Sequence, residues 1–263
     1  VIIDAHTHVW PDHVAARALG GSGLDDLPRF GDGTAGSLVE VMDAAGVDRS
    51  VVLAVANTAE RVESANTFTG SLDPDRFIGF GSAHARSDPD ELVASLRRHG
   101  LRGVKVHPLF QDYALDDPGL LRVLDALRGE FAAIVHVGSA GDPEKAARCT
   151  PTMIVEVARQ LPGLDLIACH FGGYRVIEEA AEVVVGTPGL YLDTSWPPSL
   201  ATLDPDLVAG LVRRHGPDRV IFASDWPMAD PAAEIEAVRA LGLEEDETDA
   251  ILGGNLARIL SLE

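Results

Sequence analysis

The sequence predicts an α/β fold of the (β/α)8 TIM-barrel class, regular or distorted, with an extended loop after the first strand. Three observations predict it. Eight short runs rich in β-branched residues recur along the chain, each followed by a stretch with helical character. Most of these runs are apolar on both faces, as strands of a buried parallel sheet are. The length, 263 residues, matches the about 250 that eight strand–helix units need and leaves none for a further large unit. The chain therefore reads as one domain, residues 1–263.

The strand candidates, in order, are VIIDAH at 1–6, RSVVLAVA at 49–56, RFIGFGSAH at 76–84, GVKVHP at 103–108, AAIVHVG at 132–138, LDLIACHF at 164–171, LYLDTSW at 190–196 and RVIFASDWP at 219–227. Helices are predicted between them. Ser37 to Ala45 ends at Gly46, a residue suited to the left-handed turn that closes a helix. Asp88-Pro89 supplies an N-cap and a proline at the first helical position, and that helix reaches His99-Gly100. Asp117-Pro118 opens the next in the same way. Further helices are predicted near 151–161, 175–185, 205–215, 231–241 and 246–260. A doubly wound open sheet is the runner-up, weakened because no G-x-G-x-x-G loop follows the first strand. The irregular stretch 9–36, with Gly20, Gly21, Gly23, Gly31, Gly33 and Gly36, reads either as a lid over the strand ends or as a solvated insertion.

Composition narrows the function classes. Apolar residues make up 46% of the chain, enough for a sizeable core. The net charge of −20 repels phosphate backbones and anionic lipid heads, so neither nucleic acid nor membrane is an expected partner. An anionic small molecule stays admissible, because a metal ion reverses the local field. Cys149 and Cys169 form no metal-finger spacing. No apolar run reaches the ~18 residues of a membrane span, and the first residues show no basic-then-apolar leader. A cytoplasmic protein is the expectation.

The chemistry is carried by where ionisable residues fall. In a barrel of parallel strands, reactions take place at the C-terminal strand ends, and residues two apart on a strand share a face. His6 and His8 end the first run, Lys105 and His107 the fourth, His136 the fifth, His170 the sixth and Asp225 the eighth. Seven ionisable groups are thus expected at one rim. A lone strand-end histidine is usually an ordinary hydrogen-bonded residue, and His13, His99 and His215 are read so; His84 is left outside the site. Imidazoles with a carboxylate suit zinc or a similar divalent ion. Lys105 stands out because the chain has two lysines and nineteen arginines. A primary amine there would serve as a point charge for a substrate carboxylate or as a carbamylated metal bridge; the plain alternative is a lysine reaching solvent. Asp4 shares the phase of His6, as an outer partner of the site or as an internal structural acid.

Taken together, IIDAHTHVW, GVKVHP, IVHVG, CHFGG, YLDTSW, FASDWP and GNLARIL resemble the amidohydrolase superfamily, specifically its amidohydrolase-2 branch, over nearly the whole chain. The resemblance implies one divalent metal, commonly zinc, held by His6, His8, His136 and Asp225, with His170 as an acid/base or electrophilic group beside the substrate. A second metal bridged by carbamylated Lys105 stays open, as in some superfamily members. A bound ion lowers the pKa of water to about 7. Asp225 would accept a proton from that water, and Lys105, His107, Trp10 and Trp196 would contact a small-molecule substrate; ordinary packing is the alternative for the tryptophans, Trp226 included. The implied reaction is hydrolysis of an amide, lactone or ester-like bond. The branch also contains non-oxidative decarboxylases of aromatic or unsaturated acids, and a non-catalytic ligand-binding barrel is a third reading. A homodimer is compatible with the branch.

Overall fold

The computed structural model describes residues 1–20, 27–139 and 142–262. Eight parallel strands form one sheet in sequential order: β1 (Ile3–Thr7), β2 (Arg49–Leu53), β3 (Phe77–Ser82), β4 (Gly103–Val106), β5 (Ala132–Val135), β6 (Leu166–Ala168), β7 (Leu190–Asp193) and β8 (Val220–Ile221). Helices alternate with them, which is the (β/α)8 arrangement the sequence predicts. The backbone packs as two compact units, Val1–Val52 with Leu72–Ile78 and Thr194–Glu263, and Leu53–Ser71 with Gly79–Asp193.

In the first unit β1 pairs with β2, Ile3 opposite Arg49 and Thr7 opposite Val52. Thr7 donates its hydroxyl to Val51 O at 2.7 Å, which fixes the strand end between the two histidines. On its other edge β1 meets the segment after β8: Ala5 N donates to Phe222 O at 3.0 Å and Thr7 bridges Trp226. Helix Ala35–Ala45 is capped by the Thr34 hydroxyl, buries Leu38 and Met42 one turn apart, and ends with Gly46 in the left-handed conformation. Each such buried side chain stabilises the unit by about 1.5–3 kcal/mol relative to exposure.

In the second unit β4, β5, β6 and β7 run in continuous register, as in Lys105 opposite Ile134, Ile134 opposite Ile167 and Ile167 opposite Tyr191. Asp88 caps Pro89–Arg98 and Asp117 caps Pro118–Asp125, each with proline in the first turn.

The structure departs from the sequence reading in several places: Pro108–Gln111 and Pro143–Ala146 are short unpredicted helices, β8 is two residues long within the run at 219–227, and three longer stretches differ. The stretch after β1 is not a loop throughout: Asp12–Gly20 is a helix, because Ala15 to Leu19 are good helix formers and the glycines begin only at Gly20. Residues 21–26, with Gly21 and Gly23, lie outside the described residues. From 27 onward the backbone is tied down: Phe30 N donates to Pro227 O, and Trp226 Nε1 to Phe30 O at 3.0 Å. Second, Val62–Gly70 is a helix absent from the sequence reading. Third, the single helix predicted at 246–260 is interrupted. Glu245–Asp249 and Asn255–Ile259 flank a wide π-helical turn at Ala250–Gly254. The turn leaves Ile251 O to accept Phe222 N, and a Cβ on Gly253 would lie 2.4 Å from Val1 O.

Candidate metal centre

In the first unit, Asp4 and His6 lie two apart on β1, and His8 directly follows its last residue, Thr7. Asp225 lies beyond β8 in the left-handed conformation, φ 67°, and is buried with His6. Three donor atoms meet here. His6 Nε2 and His8 Nε2 are 3.2 Å apart, His6 Nε2 and Asp225 Oδ1 3.5 Å, and His8 Nε2 and Asp225 Oδ1 3.4 Å. Without a cation this triangle needs a proton shared between the imidazoles. With one it is a ligand set: a tetrahedral ion bonded at about 2.0–2.1 Å holds its donors about 3.3 Å apart. Three oxygen and nitrogen donors at that spacing fit a divalent metal, and the same three residues stand out as a possible metal group.

His6 is held through its other nitrogen. Ser195 Oγ lies 3.2 Å from His6 Nδ1, so the ring presents Nε2 to the cluster. Metal-binding histidines are commonly oriented in this way. Trp10 stacks on His8 with ring centroids 6.0 Å apart and is half-buried. Trp196 is buried beside Ser195, and Trp226 is fully buried; Trp226 is a core residue, in line with the packing reading.

The second unit brings together the other predicted residues. His136 follows β5, and its Nδ1 lies 3.1 Å from His170 Nε2. A proton on Nδ1 directed at His170 leaves the lone pair of His136 on Nε2. His170 N donates to Asp193 Oδ1 at 2.7 Å, which anchors a residue at φ 59°. His107 stacks nearly parallel on His136, centroids 4.1 Å apart and 10° inclined, with Phe110 on its other face at 4.0 Å. Lys105 is fully buried and donates to Cys169 Sγ at 2.9 Å, so its stem does not carry the amine to solvent. Tyr174 lies against His170 at 5.0 Å.

Several contributors escaped the sequence reading. Gln111 accepts from His107 N and the Tyr113 hydroxyl, and donates to Ala56 O and Ala83 O. It fixes the backbone at His107, and nothing in the local sequence marks it. Asp193 and Ser195 were within reach: they sit two apart in YLDTSW, the same spacing that singled out His6 and His8. His84 is buried in this unit, edge-on to Tyr113 at 5.1 Å. Burial, with Arg86 nearby, holds its pKa below the ordinary histidine value.

Comparisons with known proteins identify the family and the fold. The family model described as Amidohydrolase matches residues 3–262. No curated protein matches significantly. A crystal structure of an uncharacterized TIM-barrel protein from Bordetella bronchiseptica is similar with 19% identity and a TM-score of 0.76, covering 99% of this chain and 98% of the other. An amidohydrolase from Burkholderia multivorans with bound zinc shares 20% identity at a TM-score of 0.74, over 100% of both chains. The 5-carboxyvanillate decarboxylase of Sphingomonas paucimobilis shares 20% identity at 0.71, over 100% and 99%. At these identities the likenesses establish the fold.

Proposed function

Since the chain belongs to the amidohydrolase family, we propose that it is a metal-dependent hydrolase cleaving an amide, lactone or ester-like bond of a small molecule. The observation that carries this reading is the triangle of His6 Nε2, His8 Nε2 and Asp225 Oδ1, with sides of 3.2–3.5 Å. We propose one ion, zinc by preference, with His136 as the fourth protein ligand on the strength of the family pattern. When bound, the ion supplies Lewis acidity toward an oxygen of the substrate and makes a neighbouring water acidic.

The chain's own groups then have definite tasks. Asp225 takes a proton from the attacking water and returns it to the leaving nitrogen or oxygen. Water oxygen bonds to the acyl carbon as the C–N or C–O bond breaks. His170, anchored by Asp193, polarises the substrate carbonyl. Lys105 and His107 orient polar groups of the substrate, and Trp10 and Trp196 offer it apolar surface.

Decarboxylation is the second reading, favoured by the likeness to the carboxyvanillate decarboxylase. The same donors would grip a carboxylate, and a proton from His170 or Asp225 would replace CO2 at carbon.

One experiment separates the two. The zinc-loaded protein is given lactones, amides and aromatic acids in 18O-labelled water and, in parallel, in D2O. Hydrolysis places 18O in the product carboxylate; decarboxylation releases CO2 and places deuterium on the vacated carbon. Asp225→Asn is expected to lower turnover by at least 1,000-fold while retaining part of the metal affinity. Full activity in a metal-free Asp225→Asn protein would sink the metal-assisted reading, and two metal equivalents per chain would replace the single ion with a pair that includes Lys105.

A further inference from the structure

Asp225 has to hold one oxygen within 3.5 Å of two imidazoles, yet β8 is only two residues long and ends at Ile221. The carboxylate is therefore carried by a loop, in a left-handed conformation that a non-glycine residue adopts at a cost. What holds it is a lattice of hydrogen bonds centred on Asp4. One Asp4 oxygen, Oδ1, accepts from His6 N at 3.1 Å and from Ser224 N at 2.9 Å. The other, Oδ2, accepts the Ser224 hydroxyl at 2.5 Å. The same hydroxyl oxygen accepts Trp226 N at 3.0 Å. Asp225 N donates to His6 O at 2.8 Å, and His8 N to Trp226 O at 2.9 Å.

The backbone amides of His6, His8, Ser224, Asp225 and Trp226 are thus all committed, and the bonds join the β1 end to the loop after β8. Asp4 and Ser224 are fully buried, where a bond to a carboxylate is about twice as strong as a neutral one. Both fix the backbone from which the three members of the donor triangle project.

We propose that Asp4 and Ser224 are positioning residues that pre-set the distance between Asp225 and the His6–His8 pair, and so determine metal affinity and coordination geometry. The proposal rests on reading His6, His8 and Asp225 as ligands. It assigns Asp4, two residues before His6, a role in the site rather than in general stability alone.

The test uses Ser224→Ala, which removes a single hydroxyl, and Asp4→Asn, which keeps an oxygen for the two backbone amides. Zinc affinity is measured by competition with a chromophoric chelator. The visible spectrum of the cobalt-loaded protein reports ligand geometry, and thermal unfolding of the metal-free protein reports stability. Ser224→Ala is expected to bind zinc 10- to 100-fold more weakly and to change the cobalt spectrum; Asp4→Asn should act in the same direction and less. Wild-type affinity within twofold, with an unchanged spectrum in folded Ser224→Ala, would overturn the proposal even if its melting temperature falls. His6→Ala is run beside it. If that variant binds zinc like the wild type, the ligand reading itself fails. If it loses zinc while Ser224→Ala does not, only the positioning role fails.

Discussion

His6 enters the cluster through Nε2 and is held from behind through Nδ1, 3.2 Å from Ser195 Oγ. A proton on Nδ1 directed at this hydroxyl leaves the Nε2 lone pair free for a metal, and Nε2 cannot ligate while it carries a proton. Ser195→Ala is therefore expected to weaken zinc binding about tenfold with little effect on the metal-free fold, since Ser195 occupies a fully buried position that alanine fills. Chelator competition checks this, and an affinity equal to the wild type would show that the hydroxyl plays no part. At this scale the sequence marked the proposed ligands and was silent about the residues that support them. His6 and His8 are ionisable residues two apart at a strand end, and Asp225 follows the last strand, so position pointed to them. Ser195, Ser224 and Gln111 are common types whose importance lies in which backbone or ring they meet, and a sequence does not display that.

Among the elements, the helices that were foreseen carry either an apolar stripe or an N-cap followed by proline. Val62–Gly70 has neither, and its buried residues are Val62, Asn66 and Thr69. They sit at the i, i+4, i+7 spacing of a helix face, but two of the three are polar, so the hydrophobic pattern is invisible. The buried polar face has partners: Asn66 Oδ1 accepts Ser82 N, and Nδ2 donates to Ser95 Oγ. A similar buried polar group makes a pH prediction for Pro231–Arg239. Glu234 on this helix accepts Leu200 N at 2.9 Å, which secures the turn that follows Trp196. Burial pushes its pKa from 4.5 up to about 7, against a lowering hydrogen bond from Ser199; Asp4 and Asp230 add to the rise. The folded protein therefore holds this proton more tightly than the unfolded chain. The stabilisation is complete below about pH 4.5, is lost as pH rises to about 7, and amounts to roughly 3 kcal/mol at most. Glu234→Gln keeps the acceptor for Leu200 and cannot ionise. Denaturant titrations should show the variant gaining on the wild type between pH 4.5 and 7, with parallel behaviour above. Identical pH profiles for both proteins would remove Glu234 from the account.

Across the whole molecule, the order of the eight strands was legible because each strand is a short apolar run with its own helix behind it, a local signal repeated eight times. The proposed ligands reverse that locality. His6 and His8 lie near the first residue and Asp225 near the last, and their juxtaposition exists only in the folded chain. An ion bound by them has no comparable site in the unfolded state, so its binding free energy adds to folding stability. At a free zinc concentration of 100 times Kd the gain is about 2.7 kcal/mol. For a chain of this size that corresponds to a rise of about 5–10 °C in Tm. Calorimetry with and without zinc should show this rise, chelator should reverse it, and His6→Ala should abolish it, wherever the metal-free transition of that variant lies. A wild-type Tm indifferent to zinc would mean that the 3.2–3.5 Å triangle is a hydrogen-bonded cluster. A rise that persists in His6→Ala would place the ion elsewhere on this acidic chain.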